Sequence, residues 1–373
     1  MKGGALRQAL LLAPRGITKW ELAEAHALCS SAGYEVVDVM FYRRVSSSRM
    51  LSDAKLEELK DRVGKLRNSY EPRIIVFDDL KPREYFEIWK RTGLEPIDRT
   101  MLILEIFALH AGSREAKLQV EMARLRHQIP IVREAVRLSK MGELPGFLGP
   151  GGYAVDAYYR YVVSRVARIR RELEKLRERR RREREKRSSV GLPHVAIVGY
   201  ASAGKTTVFN RLTGEGKPVG PEYFTTVYPK VKAAVIGGTR AAFVDTVGFI
   251  SRIPPEIIEA FHSTLEEVAL ADAVLYVLDA SEPHTVVLSK LVEGIETLRR
   301  IGVVGKPMVI ALNKLDLVKG GIRDLARSVE RLSSDLYPAT SAVIPISAKT
   351  GYGMDELKCA VASQLRGTER SMC

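Results

Sequence analysis

The sequence predicts an α/β protein in three parts. These are an N-terminal α/β domain over 1–112, a hairpin of long helices with a basic linker helix over 113–189, and a C-terminal α/β domain with a mostly parallel sheet over 190–373. Three observations carry that prediction. Short apolar runs alternate with segments of helical spacing at both ends of the chain, the pattern of strands joined by crossover helices. Between them, two long helical patterns flank a glycine-rich turn, as in an antiparallel helix pair. Of 373 residues, 46% are hydrophobic, which fills several cores and excludes a mostly disordered chain.

Residues 8–14, 34–41 (YEVVDVMF) and 73–78 (RIIVFD) read as short buried strands, and 17–32 and 53–67 carry apolar residues at helical spacing. Pro14 and Arg15 cut the first apolar run short, so it is read as a strand and not a signal peptide. No apolar run approaches the roughly 18–20 residues that cross a bilayer. From 113 to 142, Leu118, Met122, Leu125 and Ile129 fall on one helical face, and Pro130 is expected to kink the helix. The turn Leu144–Gly152 leads into a second helix from about 154 to 187. Ser188, Ser189, Gly191 and Pro193 form a linker, after which strand and helix signals alternate to the end. Cys29, Cys359 and Cys373 are too widely spaced for a disulfide framework or a metal site, so a reducing cytoplasm is the expected compartment.

The chain holds 59 Lys and Arg against 45 Asp and Glu, a formal net charge of +14. Between Arg168 and Arg187 there are 12 Lys or Arg against 5 Glu, a net of +7. A solvated helix with pairs such as Glu178 to Arg182 and Glu183 to Arg187 accounts for part of this. The sharper reading is a footprint for a polyanion, RNA before all others, with Arg168, Arg170, Arg171, Arg179, Arg180, Arg181 and Arg182 as candidate contacts. An acidic membrane is the alternative, but the stretch lacks the Trp or Phe face of an interfacial helix. Nothing points to DNA, and the chain is expected to act as a monomer.

The apolar strand HVAIV (194–198) runs into Gly199-Tyr200-Ala201-Ser202-Ala203-Gly204-Lys205-Thr206, then Thr207 and a helix. This is G-x-x-x-x-G-K-[ST] in its strand–loop–helix setting. Backbone N–H groups and the helix N-terminus form an anion nest, Lys205 would bridge β- and γ-phosphates, and Thr206 would ligate Mg²⁺. A second strand, RAAFVD, ends in Asp245-Thr246-Val247-Gly248. There Asp245 would hold Mg²⁺ and Gly248 would offer its N–H to the γ-phosphate. Between them, Phe224-Thr225-Thr226 lies in a candidate switch segment, with Thr226 the chosen metal ligand and Thr225 the reserve. A third strand, PMVIAL, ends in Asn313-Lys314-Leu315-Asp316. The Asp316 carboxylate suits guanine's ring N–H and amine, and rejects adenine. Asn313 would tie the base to the phosphate loop, and the Lys314 stem would lie over the ring. A fourth strand ends in Ser347-Ala348-Lys349, whose backbone N–H can meet the guanine carbonyl. Four such elements at strand ends specify GTP and GDP as ligands.

These residues resemble a translation-factor-class P-loop GTPase of the HflX family. GYASAGKTTVFNRL and DTVGFI, followed by PPEIIEAFHSTLEEVALAD (254–272), are similar to that family's phosphate-loop and switch segments. IDRTMLILEIFALHA (97–111), SREAKLQVEMARLRHQIP (113–130) and the Gly-Pro-Gly turn at 149–151 resemble family segments in the same order. Leu148 stands where the family has arginine, Gly152 where it has an acid, and Lys230 at the second threonine of the switch pattern; Thr226 aligns with the first. The resemblance implies GTP hydrolysis coupled to binding the large ribosomal subunit and its RNA, in splitting or rescuing ribosomes. Phe249 stands where many GTPases carry a water-orienting Gln, so hydrolysis is expected to be slow without a partner. His262 and Glu266 follow on the next helix, and neither is named as a base. Two other classes remain in view. One is a signalling GTPase acting on a membrane or protein partner without a ribosome. The other is an ATP-driven RNA remodeller with a second nucleotide in the N-terminal domain, which shows no glycine-rich phosphate loop.

Overall fold

The computed structural model describes residues 7–67, 72–143, 152–188, 192–215, 230–246, 248–250, 257 and 267–366; the side chains of 152, 153 and 180–188 fall outside that description. The chain divides into two compact units, Met1–Leu176 and Arg177–Cys373. The division falls within one long helix.

The first unit is built on a parallel sheet of four strands, β1 (Arg7–Pro14), β2 (Tyr34–Tyr42), β3 (Arg73–Val76) and β4 (Pro96–Asp98), in the order β2-β1-β3-β4. Four helices connect and cover it: α1 (Lys19–Ser31), α2 (Asp53–Arg67), α3 (Pro82–Thr92) and α4 (Arg99–His110). Thr18 and Glu21 form a capping box that starts α1, and Asp98 caps α4 through the Met101 N–H at 2.8 Å. Leu10, Leu12, Ile74 and Val76 meet Leu56, Leu59 and Val63 of α2 in one core. Cys29 is buried in α1, and burial pushes its thiol up to about 12, which leaves it an inert packing residue.

Two long helices follow, α5 (Arg114–Lys140) and α6 (Gly152–Ser188). They run antiparallel, because their contacts pair early residues of one with late residues of the other. Arg114 pairs with Glu172, Arg165 makes two bonds to Glu121 at 2.6 and 2.9 Å, and Arg133 reaches the Tyr159 hydroxyl at 3.3 Å. Leu118 and Met122 pack with Ile169 and Leu173, joined by Leu125, Val166 and Leu176. Ile129 is not in that cluster. Pro130 lies inside α5 and is exposed, so water can serve the carbonyl that its missing N–H leaves unbonded. The glycine-rich turn 144–151 lies outside the described residues.

The second unit carries a six-stranded sheet in the order β10-β9-β8-β5-β7-β6. Its strands are β5 (His194–Gly199), β6 (Lys230–Ile236), β7 (Thr239–Asp245), β8 (Ala273–Asp279), β9 (Met308–Asn313) and β10 (Thr340–Pro345). All pairs are parallel except β6 with β7. Helices α7 (Lys205–Thr213), α8 (His284–Arg300), α9 (Ile322–Leu336) and α10 (Met354–Leu365) cover both faces. The period of two decides which residue meets which helix. Val195 and Ile197 of β5 pack with Phe209 and Leu357 on one face, while Ala196 and Val198 pack with Leu291 and Val329 on the other. The inner strands β5, β8 and β9 are buried on both sides, so their carboxyl ends are where a site can form. No helix among the described residues is long and apolar enough to cross a membrane.

Candidate functional site

Every strand end that matters points to one edge of the second sheet. β5 stops at Gly199, β7 at Asp245, β9 at Asn313, and β10 is followed by Ser347. In a parallel sheet the loops at that edge are where helix N-termini and backbone amides converge.

The loop Tyr200–Gly204 turns into α7 through Ser202 at φ 61° and Gly204 at φ 92°. A Cβ on Gly204 would stand 2.3 Å from Nδ2 of Asn313, so glycine is required by both conformation and space. Asn313 binds the two base-side loops to this turn. Its Nδ2 donates to the Ala203 carbonyl at 2.8 Å, and its Oδ1 accepts the Ala348 N–H at 3.0 Å. The expected tie to the phosphate loop is therefore a physical link running from Ala203 through Asn313 to Ala348. Thr207 sits in the first turn of α7.

Lys205 begins α7 and is buried, with its Nζ donating to the Tyr200 carbonyl at 2.7 Å. Burial pulls its pKa down to about 8; the Asp245 carboxylate opposes this and Lys314 adds to it. A buried ammonium with no full counter-charge is a site prepared for an anion. Beside it, the Thr206 hydroxyl donates to Asp245 Oδ2 at 3.1 Å, and Asp245 is fully buried. A hydroxyl and a carboxylate are hard oxygen donors, the kind Mg²⁺ takes together with phosphate and water. The pair therefore fits that ion. Thr246 is held by a bond from its hydroxyl to the Ile197 carbonyl at 2.7 Å.

Gly248 lies against the phosphate loop: a Cβ there would be 2.8 Å from Ala201 Cα and 3.0 Å from Lys205 Nζ. Phe249 then locks the segment down. Its N–H donates to the Gly199 carbonyl at 2.9 Å, and its carbonyl accepts the Ala201 N–H at 2.7 Å. Its ring is buried edge-on to Tyr200 and Tyr276, with centroids 6.2 and 6.4 Å away. It packs, and has no group that could orient water.

On the base side, Lys314 takes a left-handed conformation at φ 66°, which swings the chain into a short 3₁₀ turn carrying Asp316. Asp316 is exposed, and Ser347 donates its hydroxyl to Oδ1 at 2.6 Å. That bond, the largest effect, holds the Asp316 carboxyl below the usual carboxylate range. Arg211, on α7, donates to the Ala348 and Lys349 carbonyls at 2.8 and 2.6 Å. Sequence reading missed Arg211, because nothing in its spacing marks an arginine that clamps a loop 137 residues away.

Thus the described members of the phosphate, metal and base sets stand at one sheet edge. Phe224, Thr225, Thr226, Val247, His262 and Glu266 lie outside the described residues. The candidate RNA contacts lie on α6. Arg168 is exposed, Arg170 pairs with Glu174 at 3.3 Å, and Arg171 bonds the Ala167 carbonyl at 3.4 Å. Arg179 is exposed, while the side chains of Arg180, Arg181 and Arg182 lie outside the described residues, as do the pairs expected of Glu183 and Arg187. The first unit holds a cavity of about 320 Å³ lined in part by Arg73, Arg124, Glu95, Asp98 and Glu105. Three carboxylates beside two arginines do not favour a triphosphate.

Comparison with known proteins agrees with this geometry. A family model described as 50S ribosome-binding GTPase matches residues 194–314. Models described as GTP-binding GTPase N-terminal and GTP-binding GTPase Middle Region match 19–108 and 110–187. The GTPase HflX of Hyperthermus butylicus is 64% identical over 98% of both chains. That of Saccharolobus solfataricus is 39% identical over 87% of this chain and 90% of its own. A crystal structure of a GTP-binding protein from Sulfolobus solfataricus, in complex with GDP, matches with 32% identity and a TM-score of 0.54, covering 96% of this chain and 99% of that one.

Proposed function

The chain belongs to the HflX family of GTPases and hydrolyses GTP to GDP and phosphate, and on that premise we propose that it is a nucleotide-operated switch for the large ribosomal subunit. In its GTP state it binds that subunit and its RNA through the N-terminal and helical regions, in the cytoplasm, as a step in ribosome splitting or rescue. The observation that carries this reading is the pairing of a base-selective nucleotide site with the net charge of +7 between Arg168 and Arg187. The domain division proposed is 1–112, 113–189 and 190–373.

The chemistry follows from the chain's own groups. The loop Gly199–Thr207 holds the phosphates by its N–H groups, with Lys205 as the fixed positive charge. Thr206 and Asp245, with Thr226, would hold Mg²⁺, which when bound neutralises charge on the β- and γ-oxygens. Thr246 fixes the strand end that carries Asp245. Gly248 would present its N–H to the γ-phosphate and Thr226 would bind the same group, contacts that exist only before hydrolysis. Asn313, Lys314 and Asp316, backed by Ser347, Ala348 and Lys349, select guanine. No side chain at Phe249 activates water, so hydrolysis by the free protein is slow and a partner completes it.

Ribosome pelleting tests the reading. With a non-hydrolysable GTP analogue the protein co-sediments with large subunits, and with GDP it does so much less. Binding to anionic vesicles but not to ribosomes would overturn it in favour of a membrane-directed switch.

A further inference from the structure

Asp279 ends β8 directly beside Asn313, which ends β9. Its Oδ2 lies 2.6 Å from Nζ of Lys314, and the side chains are 12% and 29% exposed. Its other oxygen, Oδ1, accepts from the N–H and hydroxyl of Ser281 at 3.0 and 2.6 Å. The carboxylate is thus fixed on one side and aimed at a single lysine on the other. A carboxylate in a site for polyphosphate is a cost unless it serves something, because it repels the ligand.

Two ammonium groups share this site. Lys205 stands at the phosphate loop, and the charge of Lys314 is close enough to help pull its pKa down. Left to itself, a second mobile cation beside a phosphate cradle would turn to the phosphates. Its four-carbon stem would then leave the base. The left-handed backbone of Lys314 brings the stem toward the site, and Asp279 pins the far end.

We propose that Asp279 is a positioning residue that divides the labour of the two lysines. It neutralises the Lys314 ammonium and holds it back, so that Lys314 offers only its apolar stem as a cover for the guanine ring while Lys205 alone meets the phosphates. The proposal rests on the assignment of Lys314 and Asp316 to the base. A stem held in place loses less freedom when the base binds, and that saving appears as affinity. The carboxylate faces the Lys314 ammonium, and its effect runs through that group.

The test is a double-mutant cycle on the full chain, read as GDP affinity and as the dissociation rate of a fluorescent guanine nucleotide. Asp279→Asn keeps the shape and removes the charge; GDP affinity is expected to fall about tenfold, mainly through faster dissociation. Lys314→Met keeps a stem and removes the ammonium, so it needs no partner. In that background Asp279→Asn is expected to change affinity less than twofold, since the coupling is gone. Equal losses in both backgrounds would show that Asp279 acts on the fold and not through Lys314. Glu282→Gln, which breaks a neighbouring pair with Lys290 (2.5 Å), serves as control and leaves GDP affinity unchanged. Should Asp279→Asn not fold, the single lysine variants still decide. Lys314→Met keeps affinity within about threefold of the parent while Lys314→Ala loses at least tenfold; equal losses would mean that the ammonium itself binds nucleotide. The base assignment is judged separately, by whether Asp316→Asn alters base preference.

Discussion

Lys205 is the residue whose charge state should be most visible in solution. Burial lowers its pKa from an ordinary 10.5 to about 8. Below pH 8 the native protein carries a buried charge that costs stability. Between about 8 and 10.5 the unfolded chain holds a proton the native chain has lost, so this lysine makes the apo protein more stable as pH rises. Nucleotide reverses the preference, because phosphate supplies the missing counter-charge. GDP should therefore bind with proton uptake near pH 8, and its affinity should fall about fourfold from pH 7 to 8.5. Calorimetry in buffers of different ionisation enthalpy measures both; a flat profile would mean that Lys205 does not face the phosphates. At the other end of the site, Asp316→Asn replaces an acceptor by a group that also donates. GTP affinity should fall about ten- to hundredfold, the cost of roughly 1–3 kcal/mol for a mismatched contact, while xanthosine triphosphate gains. Unchanged GTP affinity would remove Asp316 from base recognition.

Elements explain why the site was legible before the fold was. Each motif residue sits where a short apolar strand stops, and strand ends are easy to see when both sheet faces are buried: VAIV, AAFV and MVIAL are continuous apolar runs. The phosphate loop, Asp245 and Asn313–Asp316 could be read for that reason. Contacts set by tertiary approach could not. Nothing in the spacing of Arg211, or of Asp279 and Lys314, announces that they meet loops from distant elements. In the first unit, β4 is only three residues long and α3 is mostly polar, so neither stands out as an element in the sequence. Two element-scale predictions follow from packing. Gly204→Ala puts a methyl 2.3 Å from Asn313 Nδ2 at φ 92°, so it should displace Asn313 and weaken GDP binding at least tenfold, on the order of the cost of a strained backbone. Wild-type affinity in that variant would contradict the Ala203–Asn313–Ala348 link. Leu173→Ala opens a hole in the seam of α5 and α6 and should destabilise the first unit by about 2–4 kcal/mol in urea unfolding. A change under about 0.5 kcal/mol would mean that the two helices are not held by this seam.

At the scale of the whole molecule, the proposed switch couples a nucleotide site to a helix with a net charge of +7 between Arg168 and Arg187. The phenyl ring of Phe249, buried edge-on to Tyr200 and Tyr276, offers no polar side-chain group to orient water. Turnover by the protein alone should be slow and should rise when large subunits are added; fast turnover that ribosomes do not alter would mean that the chain supplies its own catalytic group. Binding to RNA through phosphate contacts releases counterions, so affinity for the subunit should fall about a thousandfold between roughly 50 and 200 mM salt if six or more contacts form. Changing Arg179, Arg180, Arg181 and Arg182 together to Gln should flatten that slope and leave GTP affinity as it was. The most direct measurement is co-sedimentation with purified large subunits across a salt series, in GDP and in a non-hydrolysable GTP analogue. Tighter binding with the analogue, with the steep slope in the parent and a shallower one in the quadruple variant, is the predicted result. Equal binding in both nucleotide states, or the same slope in both proteins, would contradict a GTP-gated grip on ribosomal RNA.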